Sequence, residues 1–360
     1  MAKAITFGVI GGAWRAEFFF RVARALPDRF RIAGCVTKTE ATRARVKAEW
    51  KIPVFETLDA LLDEQPQFVV TSVPRAVSGP LLVELASKNM PVLAETPPAA
   101  DLAALNQMWK ELPTNARIQV AEQYPLVPLH AARLAFARSG RLGDITQVQV
   151  SIAHGYHGMA LIRRFLNVGF EDAVIRASEF DSSLIAGPDR SGPPLQERRK
   201  ESHQVIAYLQ FNGKRAVFDF TPDQYFSWIR SNRLLVRGDR GELNDLEASY
   251  LKDFQTPIRV RFERQDAGQT GNLEGYYHKG YTAGETWWYQ NPFIPARLSD
   301  DEVAVATCLD RMGRYLETGK SFYSLAEGSQ DHYLAMVIEE AARSGKVLAS
   351  ASQVWQPHLE

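Results

Sequence analysis

The sequence predicts an α/β chain that continues into an α+β domain: a doubly wound parallel sheet first, then a large, mainly antiparallel sheet with flanking helices. Three observations predict it. Strand-like and helix-like patterns alternate over about the first 120 residues. A glycine turn stands at the first strand-to-helix junction, in Gly8-Val-Ile-Gly11-Gly12-Ala13-Trp14-Arg15-Ala16. Beyond Gly140, strand candidates follow one another with few intervening helices.

The first half opens with an apolar strand, Ile5–Ile10, followed by a helix over Ala16–Leu26 that places Phe19, Val22, Ala23 and Leu26 at helical spacing. Ile32–Val36 is the next strand and Glu40–Trp50 the next helix; Phe68–Ser72, Pro80–Lys88, Val92–Ala94, Leu102–Leu112 and Ile118–Val120 continue the alternation. Repeated βα units need a parallel sheet covered on both faces. The second half offers Ile145–His154, Val174–Phe180, Val205–Phe211, Ala216–Phe220 and Arg230–Val236 as strands. Two closing helices each begin with a Ser-x-x-Glu capping box, Ser299/Glu302 and Ser324/Glu327, and end at Gly319 and Gly345. Asp181–Ser202 and Gln265–Pro295, rich in Gly, Pro and polar residues, read as long irregular loops.

A chain of 360 residues suggests two domains, set here at 1–122 for dinucleotide binding and 123–360 for substrate binding and oligomerisation. Lys+Arg 42 against Asp+Glu 42 removes the basic footprint of a general nucleic-acid binder. Cys35 and Cys308 lie in apolar contexts and read as buried thiols. No apolar run approaches the roughly 20 residues that span a bilayer, and no signal-peptide cleavage site is evident. The expected location is cytoplasmic, away from membranes.

The glycine turn has the context of a G-x-G-x-x-G dinucleotide fingerprint, with Ala13 and Ala16 in the second and third glycine slots. Ala16 still permits close helix–strand packing; Ala13 sets a methyl group where backbone approaches pyrophosphate, and Gly12 gives the loop room to shift. Gly11, Gly12, Ala13, Trp14 and Arg15 are the candidate pyrophosphate contacts, at a helix N-terminus that favours an anion. The acidic residue that would bind the adenosine ribose belongs about 20 residues on, where Thr37 stands, followed by Lys38. Loss of a carboxylate and gain of a cation favour a 2′-phosphate. NADP(H) is therefore the preferred cofactor, with NAD(H) the other option.

Acid–base chemistry has its richest supply in His154-Gly155-Tyr156-His157 at the end of a second-domain strand. Glu122-Gln123-Tyr124, where the halves join, is a second cluster and a place for substrate. His130 follows on a helix, expected to point away. His157 is the candidate acid/base, Tyr156 or Tyr124 assists, and His154, Glu122 and Gln123 bind substrate. Arg163 could reach an anionic group, although it and Arg164 also fit a solvated helix face. Asp331, near the start of the last helix, reads first as a helix-dipole partner. His154-x-x-His157 lacks a third and fourth ligand at convincing spacing, so no metal is expected. The aromatic residues of Gln265–Pro295 (among them Tyr276, Tyr281, Trp287 and Trp288) suit sugar rings and a subunit interface equally.

Leu93-Ala94-Glu95-Thr96-Pro97-Pro98-Ala99 resembles the Glu-Lys-Pro signature of the glucose–fructose oxidoreductase / inositol dehydrogenase / rhizopine-catabolism (Gfo/Idh/MocA) family, with Thr96 in place of the lysine. Phe68-Val-Val-Thr-Ser-Val73-Pro74, Gly140-Arg-Leu-Gly143, the helix begun near His157 and the Arg237–Glu242 turn extend the resemblance along the chain. It implies that Val73, Pro74, Glu95, Thr96 and Pro97 border the cofactor and that His157 is catalytic. An aspartate usual in that helix is absent, with Met159 and Ala160 nearby. The chain thus looks like a divergent branch. The expected activity is NAD(P)-dependent hydride transfer from a sugar-like or polyol hydroxyl, with a His/Tyr relay in place of the lysine. The alternatives are a lyase or glycosidase that retains its redox cofactor, and a dinucleotide-binding regulator without turnover. The resemblance also implies a homodimer or homotetramer assembled through the second-domain sheet.

Overall fold

The computed structural model describes residues 4–271 and 273–356. The chain divides into two compact units: one gathers the residues up to Pro128 with Arg264–Gly280 and Gln290–Ser329, the other Leu129–Glu263, Tyr281–Tyr289 and the residues from Gln330 on.

The first unit is built on β1 (Ile5–Ile10), β2 (Phe30–Val36), β3 (Val54–Phe55), β4 (Phe68–Thr71), β5 (Val92–Ala94) and β6 (Ile118–Val120), interleaved with α1 (Ala16–Ala25), α2 (Glu40–Trp50), α3 (Leu58–Leu62), α4 (Arg75–Ser87) and α5 (Leu102–Glu111). The strands are parallel, in the order β3-β2-β1-β4-β5-β6. The order reverses between β1 and β4, the switch point at whose strand ends this architecture binds dinucleotides. Both faces are covered, which is why the strands read as apolar runs: Phe7, Val9, Phe68, Val69, Val70, Val92 and Leu93 are fully buried. Phe7 and Phe68 stack across β1 and β4 with ring centroids 5.7 Å apart. Burying each such ring contributes roughly 1.5–3 kcal/mol.

Helix α4 differs from the reading that began it at Pro80. It starts at Arg75 and carries Pro80 in its interior. Pro80 is solvent-exposed while Ser78, Gly79, Leu82 and Leu85 face inward. Packing of that inner face holds the helix through a residue that lacks an N–H. A later segment returns to this unit. Gln119 Oε1 accepts from Ser321 Oγ at 2.9 Å, Phe322 N at 2.9 Å and Tyr323 N at 3.1 Å, binding it to β6.

The second unit begins with α6 (Pro128–Ala137), β7 (Ile145–Ser151) and α7 (Gly155–Leu166). There follow β8 (Val174–Ile185), β9 (Arg199–Phe211), β10 (Lys214–Phe220), β11 (Arg233–Gly238), β12 (Gly241–Asn244), β13 (Glu247–Leu251), β14 (Pro257–Asp266), β15 (His278–Ala283) and β16 (Thr286–Gln290). With β17 (Leu348–Ala349) they form an eleven-stranded sheet in the order β16-β15-β14-β13-β12-β11-β7-β10-β9-β8-β17. Its ladders are antiparallel except for the parallel pair β7–β10 among those whose register is defined. Gly158 lets α7 approach the sheet, since a Cβ there would meet the Phe218 ring at 2.4 Å. The long helices α8 (Asp300–Thr318) and α9 (Leu325–Ser344) carry the expected capping boxes: Ser299 Oγ accepts from Glu302 N, and Ser324 Oγ from Glu327 N.

Both segments read as irregular contain strand. The ladder between β8 and β9 runs to Ile185↔Arg199, and β15 and β16 occupy much of Gln265–Pro295. Alternation is lost in the first because Glu179–Ser183 are all exposed, the apolar Phe180 included, so the stretch shows no buried face until Leu184. In the second, the aromatic residues divide: Trp288 packs edge-on to Phe136 at 4.9 Å and Tyr281 is buried, whereas Trp287 and Tyr276 are exposed.

Candidate functional site

Within the first unit, the C-terminal ends of β1, β2, β4, β5 and β6 carry the residues picked out from the sequence. The turn after β1 requires Gly11: its φ is +120°, and a Cβ there would lie 2.0 Å from the Ser72 carbonyl oxygen. Gly11 N donates to Val36 O at 2.9 Å, and Cys35 Sγ donates to Gly11 O at 3.2 Å, so β2 braces the turn from below. Arg45 on α2 donates to the Gly12 carbonyl and pairs with Glu17 at 2.8 Å. Helix α1 starts with no side-chain cap; Ala16 N and Phe18 N donate to Ala13 O at 2.9 Å and Arg15 O at 3.3 Å in the turn that opens it.

At the end of β2, Thr37 is 4% exposed and its Oγ1 has no hydrogen-bond partner. Thr71 Oγ1, at the end of β4, is likewise buried and unpartnered. Orphaned hydroxyls on both sides of a glycine cradle, at the end of an uncapped helix, fit a polar group presented there. A nicotinamide dinucleotide meets that requirement. Lys38 is exposed, and Arg43 braces its backbone by donating to Thr37 O at 3.2 Å and Lys38 O at 3.5 Å. Val73 is half-buried and Pro74, exposed, precedes the first turn of α4.

Three predicted residues far apart in sequence meet in a hydrogen-bonded set. Arg15 Nε donates to Glu95 Oε1 at 2.8 Å and its Nη2 to Gln123 Oε1 at 3.1 Å. The Arg15 and Glu95 side chains are 19% and 9% exposed. Burial opposes the guanidinium charge, yet the Glu95 carboxylate overrides it and raises the Arg15 pKa above its ordinary value. The guanidinium also lies 5.0 Å from the Phe18 ring centroid. A cation thus stands beside Glu95 even though position 96 is threonine. Thr96 is half-buried, its N–H donating to Glu95 Oε2 at 3.3 Å, and Pro97 follows through a cis peptide. Glu122 is buried and accepts from Tyr124 N at 3.0 Å; Tyr124 is half-buried. Trp14 is 48% exposed and packs edge-on to Phe18. Burial pushes both thiols up to about 12, so neither Cys35 nor Cys308 is a nucleophile at neutral pH.

In the second unit, β7 ends at Ser151 and His154 precedes α7 in extended conformation. The His154 ring lies 4.9 Å from Tyr156 and 4.9 Å from His157, each edge-on, and Tyr156 is 4.5 Å from His157. His332 of α9 joins at 5.7 Å from Tyr156. His154 and Tyr156 are half-buried, His157 is buried. Tyr225, which the sequence reading missed, reaches the same cluster: its Oη is 2.6 Å from His154 Nδ1 and accepts from His154 N at 3.0 Å. The nearest sequence signal is the Thr221–Gln224 capping box just before it.

Arg163 belongs to a different set. It is buried, not solvated, with Nη1 on Asp331 Oδ1 at 2.5 Å and Nε on Gly169 O at 2.9 Å. Asp331 is accordingly an ion-pair partner first. His130 is buried beside Arg133, and burial, reinforced by that guanidinium, lowers its pKa to about 3. Among the described residues no group of three or more His, Cys, Asp or Glu side chains is placed to hold a metal ion. No helix among them is long and apolar enough to cross a membrane.

Residues 5–123 match the model of the Gfo/Idh/MocA family, described as an oxidoreductase family with an NAD-binding Rossmann fold. No curated protein matches the sequence. Solved structures share the fold over nearly the whole chain. A levoglucosan dehydrogenase in complex with NADH and levoglucosan is 14% identical with a TM-score of 0.67, covering 96% of this chain and 99% of its own. A putative myo-inositol dehydrogenase from Sinorhizobium meliloti 1021 is 16% identical with a TM-score of 0.66, covering 97% and 100%. An oxidoreductase from Agrobacterium radiobacter, in complex with NAD+, L-tartaric acid and magnesium, is 14% identical with a TM-score of 0.66, covering 96% and 98%.

Proposed function

We infer the function from one premise: through residues 5–123 this chain belongs to the Gfo/Idh/MocA oxidoreductase family, with its NAD-binding Rossmann fold. On that premise it is an NAD(P)-dependent oxidoreductase that oxidises a hydroxyl of a sugar-like or polyol substrate, or reduces the corresponding carbonyl. The carrying observation is the cradle at the β1–α1 turn, where Gly11 admits no Cβ and the buried Thr37 hydroxyl has no partner.

Gly11, Gly12, Ala13, Trp14 and Arg15 would hold the pyrophosphate; Thr37 and Lys38 the adenosine ribose; Val73, Pro74, Glu95, Thr96 and Pro97 the nicotinamide side. The bound nicotinamide supplies the two-electron acceptor or donor. The 2′-phosphorylated form is preferred. No carboxylate stands at Thr37, Lys38 is exposed, and Arg43 holds that backbone in place. The names of the levoglucosan dehydrogenase and the putative myo-inositol dehydrogenase support the substrate class, since each names a polyhydroxylated ring.

A threonine hydroxyl is too weak an acid to exchange the substrate proton near neutrality. That task falls to the imidazoles: His157 as acid/base, with Tyr156, His154 and Tyr124 assisting. Glu122 and Gln123 orient substrate hydroxyls, whereas Arg163, buried in its pair with Asp331, braces α7. Residues 1–122 make the cofactor domain and 123–360 the substrate and assembly domain. Exposed Val174, Phe180 and Ile206 on β8 and β9 support a homodimer or homotetramer formed through the sheet. Buried thiols suit a cytoplasmic location.

The test is nicotinamide absorbance with NADP+ and a panel of sugars and polyols. Reduction that is lost in His157→Ala supports the reading. Cofactor binding without reduction of any panel member, and without any product, contradicts it.

A further inference from the structure

Arg15 belongs to two places at once. Its backbone lies in the turn after β1, among the pyrophosphate contacts, while its guanidinium is bound at the ends of β5 and β6. We propose that Arg15 sets the redox preference of the nicotinamide subsite: by cancelling the Glu95 carboxylate it keeps the site from favouring the cationic, oxidised ring. The inference rests on the nicotinamide-dinucleotide reading of this unit and deepens it.

The sheet order fixes the half on which the charge lies. The switch point falls between β1 and β4, so β2 and β3 belong to the adenosine side and β5 and β6 to the nicotinamide side. Arg15 Nε donates to Glu95 Oε1 at 2.8 Å, one residue past β5. Its Nη2 donates to Gln123 Oε1 at 3.1 Å, three residues past β6. The guanidinium therefore reaches across the switch point from the turn that carries it. Its central carbon lies 5.0 Å from the Phe18 ring centroid and 6.0 Å from that of Phe19. Two different nitrogens are anchored and aromatic rings stand against the group, so the cation is held in one place.

A charge in that place acts differently on the two cofactor states. The oxidised nicotinamide ring carries one positive charge; a hydride from a substrate C–H brings two electrons with its proton and leaves the ring neutral. A lone carboxylate nearby would hold the oxidised form, and a lone cation would disfavour it. Glu95 and Arg15 are 9% and 19% exposed, so solvent and salt screen neither charge fully. Burial opposes the Arg15 charge, but Glu95 and, more weakly, Asp301 of α8 keep it ionised. At 2.8 Å the pair presents a dipole instead of a net charge. The pair then biases the bound cofactor toward neither state.

The test compares dissociation constants for NADP+ and NADPH at pH 8 in the full-length wild type, Arg15→Met, Glu95→Gln, the double variant and Arg15→Lys. Adenosine, pyrophosphate and 2′-phosphate are the same in both nucleotides. The ratio of the two constants therefore cancels their contacts, and it cancels any general loss of packing. Asp301 and Glu122 are present in every variant and cancel as well. Arg15→Met should move the ratio roughly 10-fold toward NADP+, the effect of one unit charge a few ångströms away in a half-wet site. That factor lowers the potential of the bound couple by about 30 mV. Glu95 keeps the Thr96 N–H at 3.3 Å in this variant and stays ionised at that pH. Glu95→Gln should move the ratio by a similar factor toward NADPH. The double variant and Arg15→Lys should stay within about twofold of the wild type. Ratios that neither single variant moves, or that both move in one direction, would overturn the proposal and leave the functional reading standing. Failure of the wild type to bind any nicotinamide nucleotide would overturn that reading, and the proposal with it.

Discussion

The ion pair between Arg15 and Glu95 offers a quantitative test of how the chain manages without a lysine at position 96. Arg15→Met removes the guanidinium but keeps a long side chain, and leaves a carboxylate that is 9% exposed at the end of β5. Breaking a buried pair in this way costs about 3–5 kcal/mol. Arg15 retains 19% exposure, so water already carries part of its charge, and a loss of about 2–3 kcal/mol is expected. Glu95→Gln leaves a cation that can still reach water and should cost about 1–2 kcal/mol. The double variant has no charge to strand. It should be no worse than Arg15→Met alone, giving a coupling of about 1–2 kcal/mol. The assay is equilibrium urea denaturation of the four proteins without nucleotide, read by midpoint at constant slope. Additive losses, within about 0.5 kcal/mol, would mean that the 2.8 Å contact holds nothing together and that Arg15 is merely adjacent.

Lys38→Ala should weaken NADP(H) binding about 10-fold and leave NAD(H) nearly unchanged, measured as dissociation constants side by side. Equal losses for both nucleotides would remove the 2′-phosphate assignment. His130, lowered to about 3 by burial and Arg133, carries a pH dependence of known sign. Its folded pKa lies below the unfolded value of about 6.5, so its contribution is complete above that pH and is lost progressively as pH falls toward 3. His130→Phe should flatten the stability profile between those limits in urea titrations at stepped pH. An unchanged slope would contradict the burial argument.

Much of the scaffold was legible because local rules and tertiary packing agree there. Ile5–Ile10 and Glu40–Trp50 have the predicted bounds, and both capping boxes form. Local rules failed where packing or pairing decides. Pro80 reads as a helix boundary, yet the buried face of α4 carries the helix through it. The far part of the β8–β9 hairpin is held by its ladder, with Glu179–Ser183 all exposed before Leu184 turns inward, so no periodicity marks it. The site divides in the same way. Gly11 was legible because a turn that tight tolerates no side chain, whereas Arg15 was picked out only as part of the turn. Its partner Glu95 lies 80 residues away and Gln123 lies 108 away, and no spacing rule connects them. Tyr225 lies 71 residues beyond His154 on a short turn, and tyrosine in such a place carries no signal of its own.

Whether the cradle at Gly11 receives a nicotinamide dinucleotide is read by calorimetric titration of the purified protein with NADP(H) and NAD(H). One nucleotide should bind per chain, NADP(H) more tightly, and none should bind to Gly11→Ala, where the added methyl would sit 2.0 Å from the Ser72 carbonyl oxygen. Absence of binding by either nucleotide to the wild-type protein, or undiminished binding by Gly11→Ala, would contradict that placement of the nucleotide.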